Sequence, residues 1–145
     1  MKKQSGFGLV AAIFILVILA SLGAAMVNFG AVQQTTSAQD ILSAKAWQAA
    51  RAGNEWGLFQ ALRGTWTACT NETQTLDLTA DTGFRVTVNC TSTVFNEGET
   101  ASGTRTVRIF RILSTACNSS SSCPDDASAS SLGYIERVRE VIATN

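Results

Sequence analysis

Hydrophobic positions are distributed unevenly along the chain, and the first quarter is almost wholly apolar. Residues 7–32 carry apolar or small side chains, interrupted mainly by Ser21 and Asn28, and no charged residue occurs from Gln4 to Gln39. As an α-helix this segment is about 39 Å long, whereas the hydrocarbon core of a bilayer is about 30 Å thick. The pattern therefore predicts a membrane-spanning helix over residues 7–32.

The next segment, residues 33–63, has the pattern of an amphipathic helix. It begins with a polar run and continues with apolar residues at spacings of three and four as far as Leu62. No proline precedes Pro124, so the sequence is compatible with one helix from about Phe7 to Leu62. Two glycines in its second half weaken such a helix by about 1 kcal/mol each relative to alanine. The apolar stripe needs a covering surface, and the C-terminal domain is the candidate.

Residues 64–145 predict a small β-sheet domain. Alternating apolar and polar positions predict three strands, at residues 84–90, 104–113 and 133–143. The region 67–82 is rich in Thr, Asn and Asp and predicts a loop, with at most a short strand at 75–78. A hairpin loop at 96–103 separates the first two strands, and a serine-rich stretch separates the last two. The expected fold class is α+β: a long N-terminal helix packed on an antiparallel sheet of three or four strands.

Four cysteines lie in the second half of the chain: Cys69, Cys90, Cys117 and Cys123. An even count behind an export-like N-terminus favours disulfides in an oxidising compartment. Zinc usually needs close C-x2-4-C pairs, which these spacings do not supply. Four cysteines allow three connectivities. We favour Cys69–Cys90, which would tie the loop after the helix to a strand end, and Cys117–Cys123, which would close a serine-rich loop.

Composition and charge argue against an enzyme and against nucleic-acid binding. The formal net charge is zero, so there is no electrostatic basis for binding nucleic acid. The chain has no histidine, which rules out a Ser-His-Asp triad, and no phosphate-binding glycine motif occurs. Asp125 and Asp126 lie in a predicted loop without a fixed partner. No catalytic residue, cofactor or metal site is predicted.

Charged and aromatic residues of the second half predict packing, not a ligand site. The last two strands carry Arg105, Arg108, Arg111, Glu136, Arg137, Arg139 and Glu140. Cross-strand pairs on a solvated face are expected from them, with a subunit interface or an adhesive patch as the alternative. Trp47 and Trp56 are nine residues apart and therefore point to opposite sides of a helix. Together with Trp66 they predict buried packing or a subunit contact, because they cannot form one platform.

The N-terminus allows three interpretations. Lys2 and Lys3 precede the apolar segment and no basic residue follows until Lys45, so the positive-inside bias places the N-terminus in the cytoplasm and the rest outside. A cleavable secretory signal peptide is one interpretation, with Gly23 and Ala25 as small residues near a cleavage site. The second is an ordinary single-span anchor. The third is a leader cut on the cytoplasmic side, so that the apolar helix is retained.

The junction Gly6-Phe7-Gly8-Leu9-Val10, preceded by two lysines, resembles the prepilin peptidase site of type IV pilins and type II secretion pseudopilins. In that family Gly-Phe is followed by Thr or Ser, Leu, an aliphatic residue and Glu. Gly8 is a mild departure, and Ala11 stands where the family usually has glutamate. The sequences of segment 49–57 and of Gln33-Gln34 are similar to segments found in minor pilins of the MshP kind, which belong to the mannose-sensitive haemagglutinin (MSHA) pilus. The resemblance covers about the first 60 residues.

The resemblance implies a processing site and a set of partners. A leader of residues 1–6 would be removed by prepilin peptidase between Gly6 and Phe7. The helix would lie in the inner membrane before assembly and pack on other pilin subunits afterwards. The C-terminal domain would be periplasmic, and then on a surface pilus. A structural or assembly role in an MSHA-type pilus follows, with a type II secretion pseudopilin or a tip adhesin as alternatives. A secreted soluble binding protein with a cleaved signal peptide is the alternative of another class.

Ala11 bears on which kind of subunit the resemblance implies. Cleavage after Gly6 would leave a charged amine on Phe7, with an ordinary pKa of about 7.7–8.0. In the family the glutamate is thought to meet that amine on a neighbouring subunit, which would offset the burial of both charges. Ala11 has no carboxylate. Either the contact is dispensable in this subunit, or the subunit lacks a neighbour at that position, as expected in an initiation or tip complex.

Overall fold

The computed structural model describes residues 6–101 and 103–145, with the side chains of 6, 7, 28, 29, 31 and 32 left aside. One helix and four strands make up the secondary structure of this part of the chain: α1 Gly6–Leu62, β1 Thr70–Leu78, β2 Phe84–Thr100, β3 Gly103–Cys117 and β4 Glu136–Thr144. The chain divides after Asp40 into two compact units, and the second unit is Ile41–Asn145. Helix and antiparallel sheet together confirm the α+β class.

Helix α1 confirms the expected uninterrupted helix and ends through a side-chain cap. The amide of Gly64 bonds the carbonyls of Phe59 and Gln60 at 2.9 and 3.2 Å. The Gln60 side-chain oxygen then accepts hydrogen bonds from the backbone amide and the hydroxyl of Thr65, at 3.2 and 3.3 Å. The bonds from Gly64 satisfy backbone carbonyl groups that the end of a helix leaves without a partner. They turn the chain toward the sheet without a proline.

The sheet has four antiparallel strands in the order β1-β2-β3-β4, so each strand pairs with its neighbour in sequence. The expected loop at 67–82 is wrong in its central part, because β1 is a strand of nine residues. Its threonines are good strand formers and pair across to β2. The hydroxyls of Thr75 and Thr87 lie 3.0 Å apart, and the Thr73 hydroxyl bonds the Asn89 side chain.

Strands β2 and β3 are longer than the sequence pattern predicts. The expected hairpin loop at 96–103 lies largely within the ladder, which runs out to the pair Thr100 and Gly103. A bulge between Asn96 and Gly98 accommodates the polar residues, and Gly98 takes a φ of 126° that favours glycine. Strand β4 begins at Glu136 instead of residue 133, because the side chain of Asn118 holds the carbonyl of Gly133 before the strand.

The helix contacts the sheet through its smallest residues. The buried helical positions are Ala46, Ala49, Ala50, Gly53, Asn54, Gly57 and Ala61, and all except Asn54 are alanine or glycine. They lie against large buried side chains of β2 and β3: Phe84, Val86, Val88, Phe110 and Ile112. A Cβ added at Gly53 would be 2.6 Å from Val86 Cγ1, and one at Gly57 would be 2.7 Å from Ile112 Cγ2. The glycines that weaken the helix in isolation are therefore what allows it to approach the sheet.

The charged residues of β3 and β4 follow the expected cross-strand pairing only in part. Arg111 forms a two-pronged ion pair with Glu140 at 2.7 and 2.9 Å, which confirms the prediction for that pair. Arg139 instead stacks on Trp47, with 4.4 Å from its guanidinium carbon to the ring centroid. Arg137 donates to the Ser43 hydroxyl at 2.8 Å. Two arginines of β4 therefore bind the helix, because they flank the face that it covers.

We expect Gly57→Ala to lower the stability of the Ile41–Asn145 unit. Overpacking a core typically costs 1–3 kcal/mol, and the better helix propensity of alanine returns about 1 kcal/mol. Since the new Cβ would lie within 3.0 Å of both Ile112 and Val88, a net loss of up to about 2 kcal/mol is expected. Thermal unfolding of the full chain in detergent, followed by near-ultraviolet circular dichroism, measures it. Gly30→Ala is the control, because nothing lies within 4 Å of that position.

Candidate functional site

The residues of the predicted processing site lie at the start of α1. Gly6 is the first helical residue and Phe7 follows it. Lys2 and Lys3 of the expected leader lie outside the described residues. Ala11 lies on an exposed part of the helix. No acidic residue occurs before Asp40 in the sequence. A carboxylate for an amine at Phe7 would therefore have to come from another molecule, or from beyond the apolar segment.

The segment Gly8–Val27 is long and apolar enough to cross a membrane. None of it is buried within the protein, and apolar side chains point outward on every side of the helix. Ser21, its only hydroxyl-bearing residue, donates to the carbonyl of Ile18 at 2.8 Å, so this group is satisfied within the helix. Such a surface needs a cover of lipid or of other apolar helices. Signal sequences share these features.

Two disulfides hold the ends of the sheet, and they are the two pairs that the sequence favours. Cys69–Cys90 joins the segment after α1 to β2, with 5.3 Å between Cα atoms. Cys117–Cys123 closes the start of the serine-rich loop, with a Cα distance of 5.6 Å. All four cysteines are buried. The first disulfide is supported by Arg108, which donates to the carbonyl of Ala68 at 3.1 Å.

The three tryptophans do not form a ligand platform. Trp56 and Trp66 pack edge to face, with their ring centroids 4.9 Å apart, beside the core. Trp47 lies about 180° away from Trp56 around the helix, under Arg139 of β4. The two helical tryptophans therefore fasten opposite flanks of the helix, one to the segment before β1 and one to β4. Trp56 and Trp66 are partly buried against the core, which agrees with the packing interpretation, whereas Trp47 is 48% exposed and is not buried.

The serine-rich loop, residues 118–135, is organised around Asp125. Its carboxylate accepts hydrogen bonds from the hydroxyls of Ser119 and Ser128 at 2.7 and 2.9 Å. The backbone amide of Asp125 donates to the Tyr134 hydroxyl at 3.1 Å, and that hydroxyl donates to Glu136 at 2.5 Å. The expectation that Asp125 lacks a fixed partner is therefore wrong. The spacing Asp-x-x-Ser, typical of a side-chain-stabilised turn, was the available signal.

The sheet face opposite the helix is only partly covered. The serine-rich loop covers one end of it, where the amide of Cys123 donates to the buried Thr87 hydroxyl at 2.9 Å. Val138, in the same cross-strand row as Thr87, is exposed, and so are Phe95 and Ile142 farther along the strands. This part of the surface is bounded by threonines and by the Arg111–Glu140 pair, so its character is mixed.

The described residues contain no group of three or more His, Cys, Asp or Glu side chains that are placed to hold a metal ion. Comparisons of the chain with protein-family models, with curated proteins and with solved structures find no match. The geometry therefore has to be interpreted from the chain itself. Its two distinctive features are the uncovered apolar helix and a disulfide-bearing domain with a braced loop.

The hydrogen bonds to Asp125 predict a pH-dependent loop. Bonds from Ser119 and then Ser128 hold the pKa of the Asp125 carboxyl below its ordinary value of 3.8. A lowered pKa in the folded state contributes stability above pH 3.8, and this contribution is lost as the pH falls through the lower folded value. We expect amide protection at Ser128 to fall over that acidic range, as measured by hydrogen exchange corrected for intrinsic rates. The Asp125→Asn variant should lose this pH dependence, and the control variant Asp126→Asn should keep it. If the protection of the Ser128 amide depended neither on pH nor on Asp125, the account of a loop organised around Asp125 would be contradicted.

Proposed function

We propose that this protein is a minor pilin-like subunit with a structural or assembly role in a type IV pilus of the MSHA type, acting in its initiation or tip complex. The observation that carries the proposal is the Gly6-Phe7 junction at the head of an uncharged helix. Two lysines precede the junction, and the helix begins at Gly6. The MshP-type minor pilins are the proteins that the N-terminal residues resemble most.

The apolar helix supports this proposal because it has to be covered by something. A subunit of this kind lies in the inner membrane first, with its N-terminus in the cytoplasm and its sheet domain in the periplasm. After cleavage by prepilin peptidase, its helix exchanges lipid for the helices of other subunits. An apolar surface on all sides, without charge, suits both surroundings.

Ala11 supports a specialised position in the assembly. A carboxylate is costly in a bilayer helix, by about 2.5–3.5 kcal/mol at the centre and less near the interface. A subunit with no neighbouring amine to pair has no compensation for that cost. The first subunits of a filament have no subunit beyond them, so an alanine fits that position.

Three alternatives have specific support. A tip adhesin or a type II secretion pseudopilin would use the exposed apolar residues of the sheet, such as Phe95 and Ile142. A secreted soluble protein with a cleaved signal peptide would need a domain with a core of its own. The Ile41–Asn145 unit has such a core, in which Phe84, Phe110 and Ile112 are buried. No enzymatic activity is part of any of these proposals.

A deletion strain separates the assembly role from the adhesive one. If the subunit initiates assembly, its loss should reduce the number of surface filaments, counted by electron microscopy, and complementation should restore them. Normal filaments that no longer attach to a surface would favour the adhesin alternative. Normal filaments with impaired protein secretion would favour the pseudopilin alternative.

We expect Ala11→Glu to increase the number of copies incorporated along the filament. A carboxylate at this position would offset the buried amine of a neighbouring subunit and so relax the restriction to one end. Quantitative mass spectrometry of sheared filaments should show a several-fold rise relative to the major subunit. Ala12→Glu is the matched control, because its acid lies about 100° farther around the helix. Equal incorporation of both variants and the unaltered chain would remove the basis for the positional argument.

A further inference from the structure

Residues 33–42 form a stretch of α1 that has no support from the sheet. The side chains of all of them are exposed. The contacts of the helix with the sheet begin at Ser43, whose hydroxyl accepts a hydrogen bond from Arg137, and Ala46, three residues later, is fully buried. The division of the chain into two compact units falls within this stretch, after Asp40. The stability of the helix here therefore depends on its own hydrogen bonds and side chains.

The composition of residues 33–40 is poor for a helix. The segment reads Gln-Gln-Thr-Thr-Ser-Ala-Gln-Asp. Threonine loses side-chain freedom in a helix, and the side chains of serine and aspartate compete for backbone hydrogen bonds. Asp40 is the only charged residue of the segment, so no ion pair can form within it. A helix of this length and composition is marginal in water when nothing packs on it.

A helix-start signal lies in the middle of α1. Ser37-Ala38-Gln39-Asp40, followed by two apolar residues, has the spacing of a capping box. In such a box the serine oxygen accepts from the backbone amide three residues later, and the acid accepts from the backbone amide of the serine. In an uninterrupted helix these amides already bond carbonyls four residues earlier, so the box has no role. Thr36 and Gln39 repeat the spacing one residue earlier.

An interruption of α1 is least costly in this stretch. Each new helix end leaves several backbone N–H or C=O groups without a partner in the helix. Water can bond these groups at residues 33–42, because the stretch is exposed. In lipid around Gly8–Val27, or against the core beyond Ala46, the same groups would stay without partners at a large cost. Exposure, composition and the capping signal therefore coincide at one place.

We propose that α1 contains a built-in break point at residues 33–36. The continuous helix is in equilibrium with an interrupted form in which these residues leave the helix. A second helix then starts after Ser37 or Thr36, with that residue as the N-cap and Asp40 or Gln39 completing the box. The negative charge of Asp40 is favourable near such a helix start.

The break point is a device that changes the length of the connection without unfolding the parts that it joins. A residue that leaves the helix can span about 3.3 Å instead of 1.5 Å, so four residues lengthen the segment by about 7 Å. The buried core of the Ile41–Asn145 unit and the apolar segment Gly8–Val27 keep their structures. The proposal concerns any form of the protein that retains the apolar segment, whether it is a pilus subunit or an ordinary anchored protein.

Hydrogen exchange of the full chain in detergent micelles tests the break point. Amide exchange is measured residue by residue by nuclear magnetic resonance and corrected for intrinsic rates. We expect the amides of residues 34–39 to exchange about a hundredfold or more faster than those of residues 46–61, which the sheet covers. The carbon chemical shifts of Ser37 or Thr36 should lie between helical and N-cap values. Uniform protection from residue 33 to residue 61 would overturn the proposal.

Variants then separate the capping signal from general helix propensity. Thr36→Val combined with Ser37→Val removes both capping hydroxyls, and valine has about the same helix propensity as serine and threonine. Loss of the caps disfavours the interrupted form, so exchange at residues 34–39 should slow about fivefold or more. Ser37→Asn keeps a capping side chain and should change the rates by less than about twofold.

Thr35→Val is the matched control, because it makes the same change where the residue three positions later is Ala38. We expect its exchange rates to stay within about twofold of the unaltered chain. Equal slowing in this control, unchanged rates in the double variant, or slowing by Ser37→Asn as large as in the double variant would each contradict the proposal. None of these outcomes bears on filament number or on cleavage after Gly6, so the pilus proposal stands or falls separately.

Discussion

The close approach of the helix to the sheet is the contact on which the structure of the Ile41–Asn145 unit depends. Four fully or nearly fully buried alanines and two glycines form the helical side of this contact. The sheet supplies the bulk, through valine, isoleucine and phenylalanine of β2 and β3. Because the helical side chains are so small, the backbone itself becomes part of the core. Flank contacts of Trp47 and Trp56 then fix the rotation of the helix, and the two disulfides hold the chain where it enters and leaves the sheet.

The first part of the chain has the opposite character. The apolar residues of Gly8–Val27 have no covering surface in the protein, and the only hydroxyl group of this segment is satisfied within the helix. Burial of these side chains therefore has to be supplied by lipid or by other chains. The proposed function connects the two parts: a domain with a buried core of its own, and a helix that needs a cover. Because no charged residue occurs from Gln4 to Gln39, nothing in the apolar segment restricts that cover to one kind of partner.

Periodicity predicts the elements of this chain well where burial decides them. The first part of β2 follows from its alternation, because one of its faces is buried. The uninterrupted helix follows from spacing and from the lack of a proline, but the sheet covers its alanine and glycine face. The prediction that the C-terminal domain covers the whole apolar stripe is therefore wrong for Ile41, Leu42, Phe59 and Leu62, which are exposed. Strand β1 was predicted as at most a short strand at 75–78, because its alternation is carried by threonines, which are compatible with a loop or with an edge strand. The ladder between Asn96 and Gly103 was missed for a related reason: a bulge and glycines with positive φ allow turn-forming residues to remain paired.

The candidate sites were predictable to different degrees. Cysteine spacing and compartment favour the two disulfide pairs, whereas nothing local predicts that Arg139 stacks on Trp47 or that Arg108 supports the carbonyl of Ala68. Those contacts join segments far apart in sequence, and their geometry is set only once the helix lies on the sheet. The position of Gly133 before β4 likewise depends on a hydrogen bond from the side chain of Asn118, fifteen positions earlier.

The most direct measurement of the central claim is the N-terminal residue of the mature protein, taken from cells that carry a prepilin peptidase. A helix retained for assembly requires cleavage after Gly6, so terminal sequencing should begin at Phe7. Deletion of the peptidase should leave the chain starting at Met1. A mature start near Met26 would mean that the apolar helix is discarded by a signal peptidase, and the account of a filament subunit would be wrong.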